Sequence, residues 1–211
     1  MSMPTPRALK PRKQAQQARS LVTVDAVFEA AIQVLLSEGV PRLTTTRVAE
    51  RAGVSVGTLY QYFPNKQALL YAVLQRHLSR VGDAVEVAAR SVHHAPLATM
   101  VNVVVEAFVR VKTERVDEAR ALYRVASELD TVELVKSVGL RSNADLSAML
   151  DTAADARFDD LALTAYMFSA AMVGPTRAML EGSAPPKLLR ALRGQLVSLC
   201  LGYLEREASR R

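Results

Sequence analysis

The stretch RAGVSVGTLYQYFPNKQALL, residues 51–70, places two glycines, three aromatic residues and one lysine inside a segment that otherwise patterns as helix. The residues AGVS separate two short helical pieces. The first rises from Thr44, Thr45 or Thr46 as N-cap and closes at Gly53, where a glycine readily takes the left-handed turn. The second is capped by Ser55 and stopped near Tyr62 by Pro64 and Asn65. This spacing predicts a helix-turn-helix over about residues 44–63, the arrangement whose second helix enters the DNA major groove. Gly57, early in that second helix, costs about 1 kcal/mol of helix stability relative to alanine. A bare backbone at this position lets N–H groups at the positive helix end approach a phosphate, which offsets the loss.

The side chains on the groove-facing turns would be Ser55, Val56, Thr58 and Gln61. Val56 can touch only an apolar group such as a thymine methyl, whereas Gln61 can pair with an adenine edge. Tyr60, Tyr62 and Lys66 fit phosphate contacts, as do Thr45 and Thr46 at the start of the first short helix. Leu59 and Phe63 fall on the opposite side and read as core. Each tyrosine alone fits a half-buried core position, and Lys66 alone fits a solvated surface charge. Their combination favours a nucleic-acid surface.

Upstream, Val24, Val27, Phe28, Ala31 and Leu35 recur on one face of a helix that Gly39 ends. Downstream, a fourth helix begins at Lys66 and carries Leu70, Val73, Leu74, His77, Val81 and Val85 along one side. The first 20 residues are rich in proline, glutamine and basic residues and are expected to form a flexible basic arm. Charge follows the same division. Residues 1–80 hold eleven of the 27 lysines and arginines but four of the 21 acidic residues, so the whole net charge of +6 resides there.

Taken together, TTTRVAERAGVSVGTLYQYFPNKQALL, residues 44–70, resembles the N-terminal DNA-binding domain of the TetR family of transcriptional regulators, and the likeness extends over about residues 21–80. The resemblance implies an N-terminal three-helix helix-turn-helix domain and a larger C-terminal helical domain that binds a small ligand and dimerises. It implies a homodimer on a palindromic double-stranded DNA operator, most often a repressor. It also implies backbone contacts at Thr45, Ser55, Gly57, Tyr60, Tyr62 and Lys66, and base reading at Val56, Thr58 and Gln61. Arg47, another candidate DNA contact, and Val56 fall at positions that vary in the family, so no operator sequence carries over.

The remaining chain, residues 81–211, reads as further helices at roughly 97–113, 118–129, 131–152, 159–181 and 186–207, with no strand signature. The expected fold class is all-α. Residues 159–181 are apolar on nearly every face, and LVSLCLGYLE shows the same excess, so both segments need a second surface to cover them. We expect these last two helices to pair across a twofold axis, with Phe168, Ala171, Met172, Leu196, Leu199 and Tyr203 as interface candidates. Leu161, Ala165, Phe168 and Met172 are also candidates for packing inside the domain, and Pro175 is expected to kink the first of these helices. Phe108, Tyr123, Met149, Tyr166 and Met172 are candidates for lining an apolar effector pocket. Asn102, Glu106 and Arg110 make a polar stripe that reads as a solvated face with a Glu–Arg pair.

Cys200 is the single cysteine and sits in an apolar helical pattern, so a buried thiol is expected. His93 and His94 diverge as neighbours without acidic companions at ligand spacing, so neither metal nor cofactor is expected. There is no apolar run that reads as a membrane span and no signal segment, which gives a cytoplasmic expectation. No nucleophile-elbow, zinc-protease, P-loop or dinucleotide motif occurs. The readings that compete with a ligand-released repressor are an activator, a ligand-independent DNA binder and a helical enzyme.

Overall fold

The computed structural model describes residues 18–210, so most of the expected basic arm lies outside the described residues. The elements are α1 (Ala18–Arg42), α2 (Thr45–Ala52), α3 (Val56–Tyr62), α4 (Lys66–Ser91), α5 (Leu97–Glu114), α6 (Val116–Glu128), α7 (Val132–Asp151), α8 (Leu161–Glu181) and α9 (Pro186–Glu207). Two short strands, β1 (Ala156–Arg157) and β2 (Ser209–Arg210), pair antiparallel. This pair departs from the strand-free expectation, since two residues are too few to display an alternating pattern.

The helix ends follow from local chemistry. Gly39 interrupts α1 with φ 77° and ψ 170°, an extended positive-φ conformation that a side chain would strain. Pro185 precedes α9, and Pro186 opens it where a missing N–H costs nothing. The α5 N-terminus takes its cap from a distant segment: Leu97 N donates to Asp155 Oδ1 at 2.8 Å. Helix α8 runs unbroken through Pro175.

The chain forms two compact units. The first contains residues up to His77 together with Arg120–Leu134, and the second contains Leu78–Ala119 and Val135–Arg211. The division between the units falls at 77/78, inside α4, and residues 120–134 group with the first unit, whereas the sequence reads as domains 21–80 and 81–211. Which unit a segment joins depends on long-range packing, to which its own sequence is blind.

In the first unit α2 packs on α1 and on α3. Its core holds Val27, Ala31 and Leu35 of α1, Val48 of α2, Leu59 of α3, and Leu69 and Leu70 of α4, all buried. The segment Ser20–Arg42 is long and apolar enough to cross a membrane by length and composition. It is not an uninterrupted apolar run, since Asp25, Glu29 and Glu38 fall within it, and the buried side chains of α1 make it a core helix of this unit. In the second unit α5 packs against α8 and α9, and α8 packs on α9. One continuous apolar cluster joins Val85 and Ala89 of α4, Met100, Val104 and Phe108 of α5, Leu146, Met149 and Leu150 of α7, and the inner sides of α8 and α9. Leu192, Leu196, Cys200 and Leu204 give α9 a buried stripe at every fourth residue. Burial pushes the Cys200 thiol up to about 12, so it stays protonated and inert.

Candidate functional site

The turn between α2 and α3 is built from caps. Thr44 Oγ1 accepts from Arg47 N at 3.3 Å to start α2. Gly53 ends α2 in the left-handed region at φ 67° and ψ 29°, its N–H reaching the carbonyls of Ala49 and Glu50. Ser55 Oγ then accepts from Thr58 N at 3.0 Å and opens α3. Each cap of this kind contributes about 1 kcal/mol. Leu59 and Phe63 anchor the inner side of α3, and the Phe63 ring lies 5.6 Å from that of Phe28. The Arg76 guanidinium sits over Phe28 at 5.3 Å.

With its inner side anchored, α3 turns Ser55, Gly57, Tyr60 and Gln61 to solvent, with Val56 and Thr58 half-buried beside them. A methyl group at Gly57 would find Ser55 Oγ at 3.7 Å, an ordinary contact, so internal packing does not demand glycine there. Tyr60 is 40 % exposed, and its hydroxyl lies 3.1 Å from Thr45 Oγ1, joining α3 to the first turn of α2. Thr45 is therefore nearly buried apart from this hydroxyl pair, whereas Thr46 is open. Tyr62 is 6 % exposed, with its ring beside Phe63, and so belongs to the core more than to the surface expected for a phosphate donor. Arg47 is exposed, but its guanidinium is paired with Glu38 and also donates to the Arg42 carbonyl at 3.2 Å.

Lys66 is half-buried and donates from Nζ to the Val40 carbonyl at 2.9 Å. A cation on the first residue of a helix faces the positive end of the helix dipole, an unfavourable placement. The Val40 carbonyl offsets that and leaves two ammonium protons for another acceptor. The Thr45–Tyr60 and Lys66–Val40 contacts span 15 and 26 positions. No local pattern in the sequence signals either.

In the second unit several expectations are corrected. Phe168, Met172 and Leu196 are buried in the unit's own core and do not form an outward interface. Ala171 and Tyr203 are partly buried, and Leu199 is exposed. The outward side of α8 and α9 consists instead of Leu163, Tyr166, Met167 and Val173 with Leu188 and Leu199. Ala170, Gly174, Ser198 and Gly202 are the small exposed residues beside them. Tyr166, at 58 % exposure, faces outward. Tyr123 belongs to the first unit. Phe108, Met149 and Met172 fill the core cluster. The polar stripe on α5 is also rearranged: Glu106 pairs with Arg193 of α9, not with Arg110.

Two family models match the chain. Residues 27–73 match the bacterial regulatory proteins of the tetR family, and residues 96–204, about half the chain, match the tetracyclin repressor-like C-terminal domain. YvkB of Bacillus subtilis, an uncharacterized HTH-type transcriptional regulator, is 40 % identical over 60 residues, or 28 % of this chain. That match spans only 32 % of YvkB. Among solved structures, a candidate TetR-family regulator from Mesorhizobium loti superposes with a TM-score of 0.73 at 17 % identity, covering 92 % of this chain and all of that one. The SmeT–triclosan complex gives 0.65 at 22 % identity over 86 % of this chain and 90 % of SmeT, the repressor of the Stenotrophomonas maltophilia efflux pump SmeDEF. At these identities the superpositions establish the fold.

Proposed function

Because the chain belongs to the TetR family of bacterial transcriptional regulators, we propose that it is a repressor that holds a palindromic operator as a homodimer and lets go when a small apolar or amphipathic effector binds its C-terminal domain. The observation that carries this reading is the solvent-facing side of α3, where Ser55, Gly57, Tyr60 and Gln61 stand open beside a Lys66 ammonium with protons to spare. Thr46 and the Thr45–Tyr60 hydroxyl pair extend the same donor-rich edge to the start of α2. The outward apolar side of α8 and α9 supplies the surface for a second copy. Two copies would present their α3 helices to half-sites about 34 Å apart, or a multiple of it. The complex of SmeT with triclosan supports effector binding by relatives of this fold.

Footprinting on the DNA flanking its own gene tests the reading, with protection of two symmetric half-sites as the expected result. Protection without symmetry, or none at low salt, would defeat it. Within the interface, Lys66→Ala is expected to weaken binding to every sequence alike and to reduce the slope of log affinity against log salt by about one unit. Gln61→Ala is expected to leave that slope alone and change base preference. Titrations from 50 to 200 mM salt separate the two, and an unchanged slope for the lysine variant would remove Lys66 from the phosphate contacts.

Gly57→Ala tests the cost assigned to that glycine. The new methyl group meets no obstacle inside the protein. The variant is therefore expected to gain about 0.5–1 kcal/mol in urea unfolding while losing DNA affinity in fluorescence anisotropy. A variant that bound DNA as well as the parent would show that α3 does not bring its backbone close to the duplex.

A further inference from the structure

The core residues of the second unit are packed against one another, but the unit also carries an open trough. Its volume is about 570 Å³, within the range of small-molecule sites, and it lies between the second half of α4 and α5, with Arg193 of α9 at its edge. Ala84 and Ala88 of α4 face Val103 and Ala107 of α5 across it, and these short side chains keep the two helices from filling the space. Val87, 68 % exposed, forms the lip.

Two acids, Asp83 and Glu106, and two arginines, Arg110 and Arg193, line this apolar floor, and both acids are already engaged. Asp83 is paired with Arg141, and Glu106 with Arg193. Arg110 also lines the trough, is exposed, and enters no ion pair among the described residues. Lys112, the next cation along α5, is buried, and burial pushes its ammonium down to about 8, so it does not share this surface. What remains is an apolar channel ending at one uncompensated guanidinium. From Val103 to Arg110 the helix rises roughly 10 Å, the reach of a medium-length alkyl chain.

We propose that this trough, and not the packed interior, is the effector site, and that it takes a small amphipathic monocarboxylate with its chain over Val87 and Val103 and its head on Arg110. The guanidinium offers a carboxylate a bidentate partner, and the chain covers apolar surface now left to water. One wall is α4, the helix that also contributes residues 66–77 to the first unit. A carboxylate that prefers one placement of α4 changes DNA affinity by its differential affinity for the two placements and by no more. The assignment rests on the effector-responsive reading above.

Calorimetric titration of the full-length protein with decanoate, and with decanol as the uncharged control, tests it. Decanoate is expected to bind, Arg110→Gln to weaken it about tenfold or more, and decanol affinity to stay within about twofold. Ala84→Trp, which fills the trough from a partly exposed position, is expected to abolish both. No decanoate binding by the parent protein, or binding that neither variant changes, overturns the assignment. Duplex DNA binding at low salt, measured on the same samples, separates the two levels of failure. A protein that holds DNA but ignores decanoate loses only the trough, while one that fails to hold DNA loses the regulator reading itself.

Discussion

Leu199→Glu is expected to convert a dimer into a monomer and to lower operator affinity by at least about 100-fold, because two linked half-site contacts become two independent ones. Leu199 is 49 % exposed on α9, on the outward side of a helix pair that also exposes Leu163, Tyr166, Met167 and Val173 of α8. An apolar side of this extent needs a cover. Ala170, Gly174, Ser198 and Gly202 lower the ridge enough for another backbone to approach, and a methyl group built on Gly174 or Gly202 meets nothing within 4 Å. At a twofold interface one substitution acts twice, and each new carboxylate would be buried without a partner at a cost of several kcal/mol. Since the side chain is open in the single chain, the fold should survive. Light scattering after size exclusion reads the mass, and anisotropy on an operator fragment reads the affinity. A Leu199→Glu protein that keeps both the parental mass and the parental affinity would rule out this face as the interface, and Leu199→Met should behave like the parent.

Phe168→Ala, on the inner side of α8, is expected to behave in the opposite way. The ring is fully buried in the cluster that joins α4, α5, α7, α8 and α9. Truncating such a residue removes its transfer free energy and leaves a cavity, for a loss of about 3–5 kcal/mol. Against a domain stability of about 5–15 kcal/mol, that is a large fraction. Urea unfolding followed by helical circular dichroism at several protein concentrations reads it. The subunit dissociation constant should move little, because the side chain does not reach the outward face. A loss of dimer affinity without loss of conformational stability would instead assign Phe168 to the interface, the second of the two roles its sequence position suggested.

Phe168 carried two readings in the sequence, core and interface, and the packing of α8 chooses the first, while Leu199 stays exposed. The turn around Gly53, the Ser55 cap, the stop at Pro64 and Asn65, and the buried Leu59 and Phe63 were legible because each acts on neighbours within one helical turn. The family likeness followed from the same short-range features. The exposed α3 side chains were legible too, since anchoring one side of a short helix dictates the other. Tyr62 was not: its place beside Phe63 in the core comes from the aromatic packing around α1, and tyrosine suits either environment.

The sequence by itself determined the helices, their caps, the helix-turn-helix and the basic bias of the first 80 residues, all of them consequences of local propensity and composition. The sequence also offered Leu161, Ala165, Phe168 and Met172 as an inward side of α8, and Ala165, Phe168 and Met172 are buried there. Tertiary structure decided that Phe168 and Met172 are not available to an outward interface as well, because a helix that is apolar all round carries no polar side to orient it. It also decided that Lys66 meets Val40, that Tyr60 meets Thr45, and that Glu106 leaves Arg110 for Arg193. Contacts of that kind depend on where distant segments come to rest, and that is settled by the burial of the whole core and not by the residues on either side.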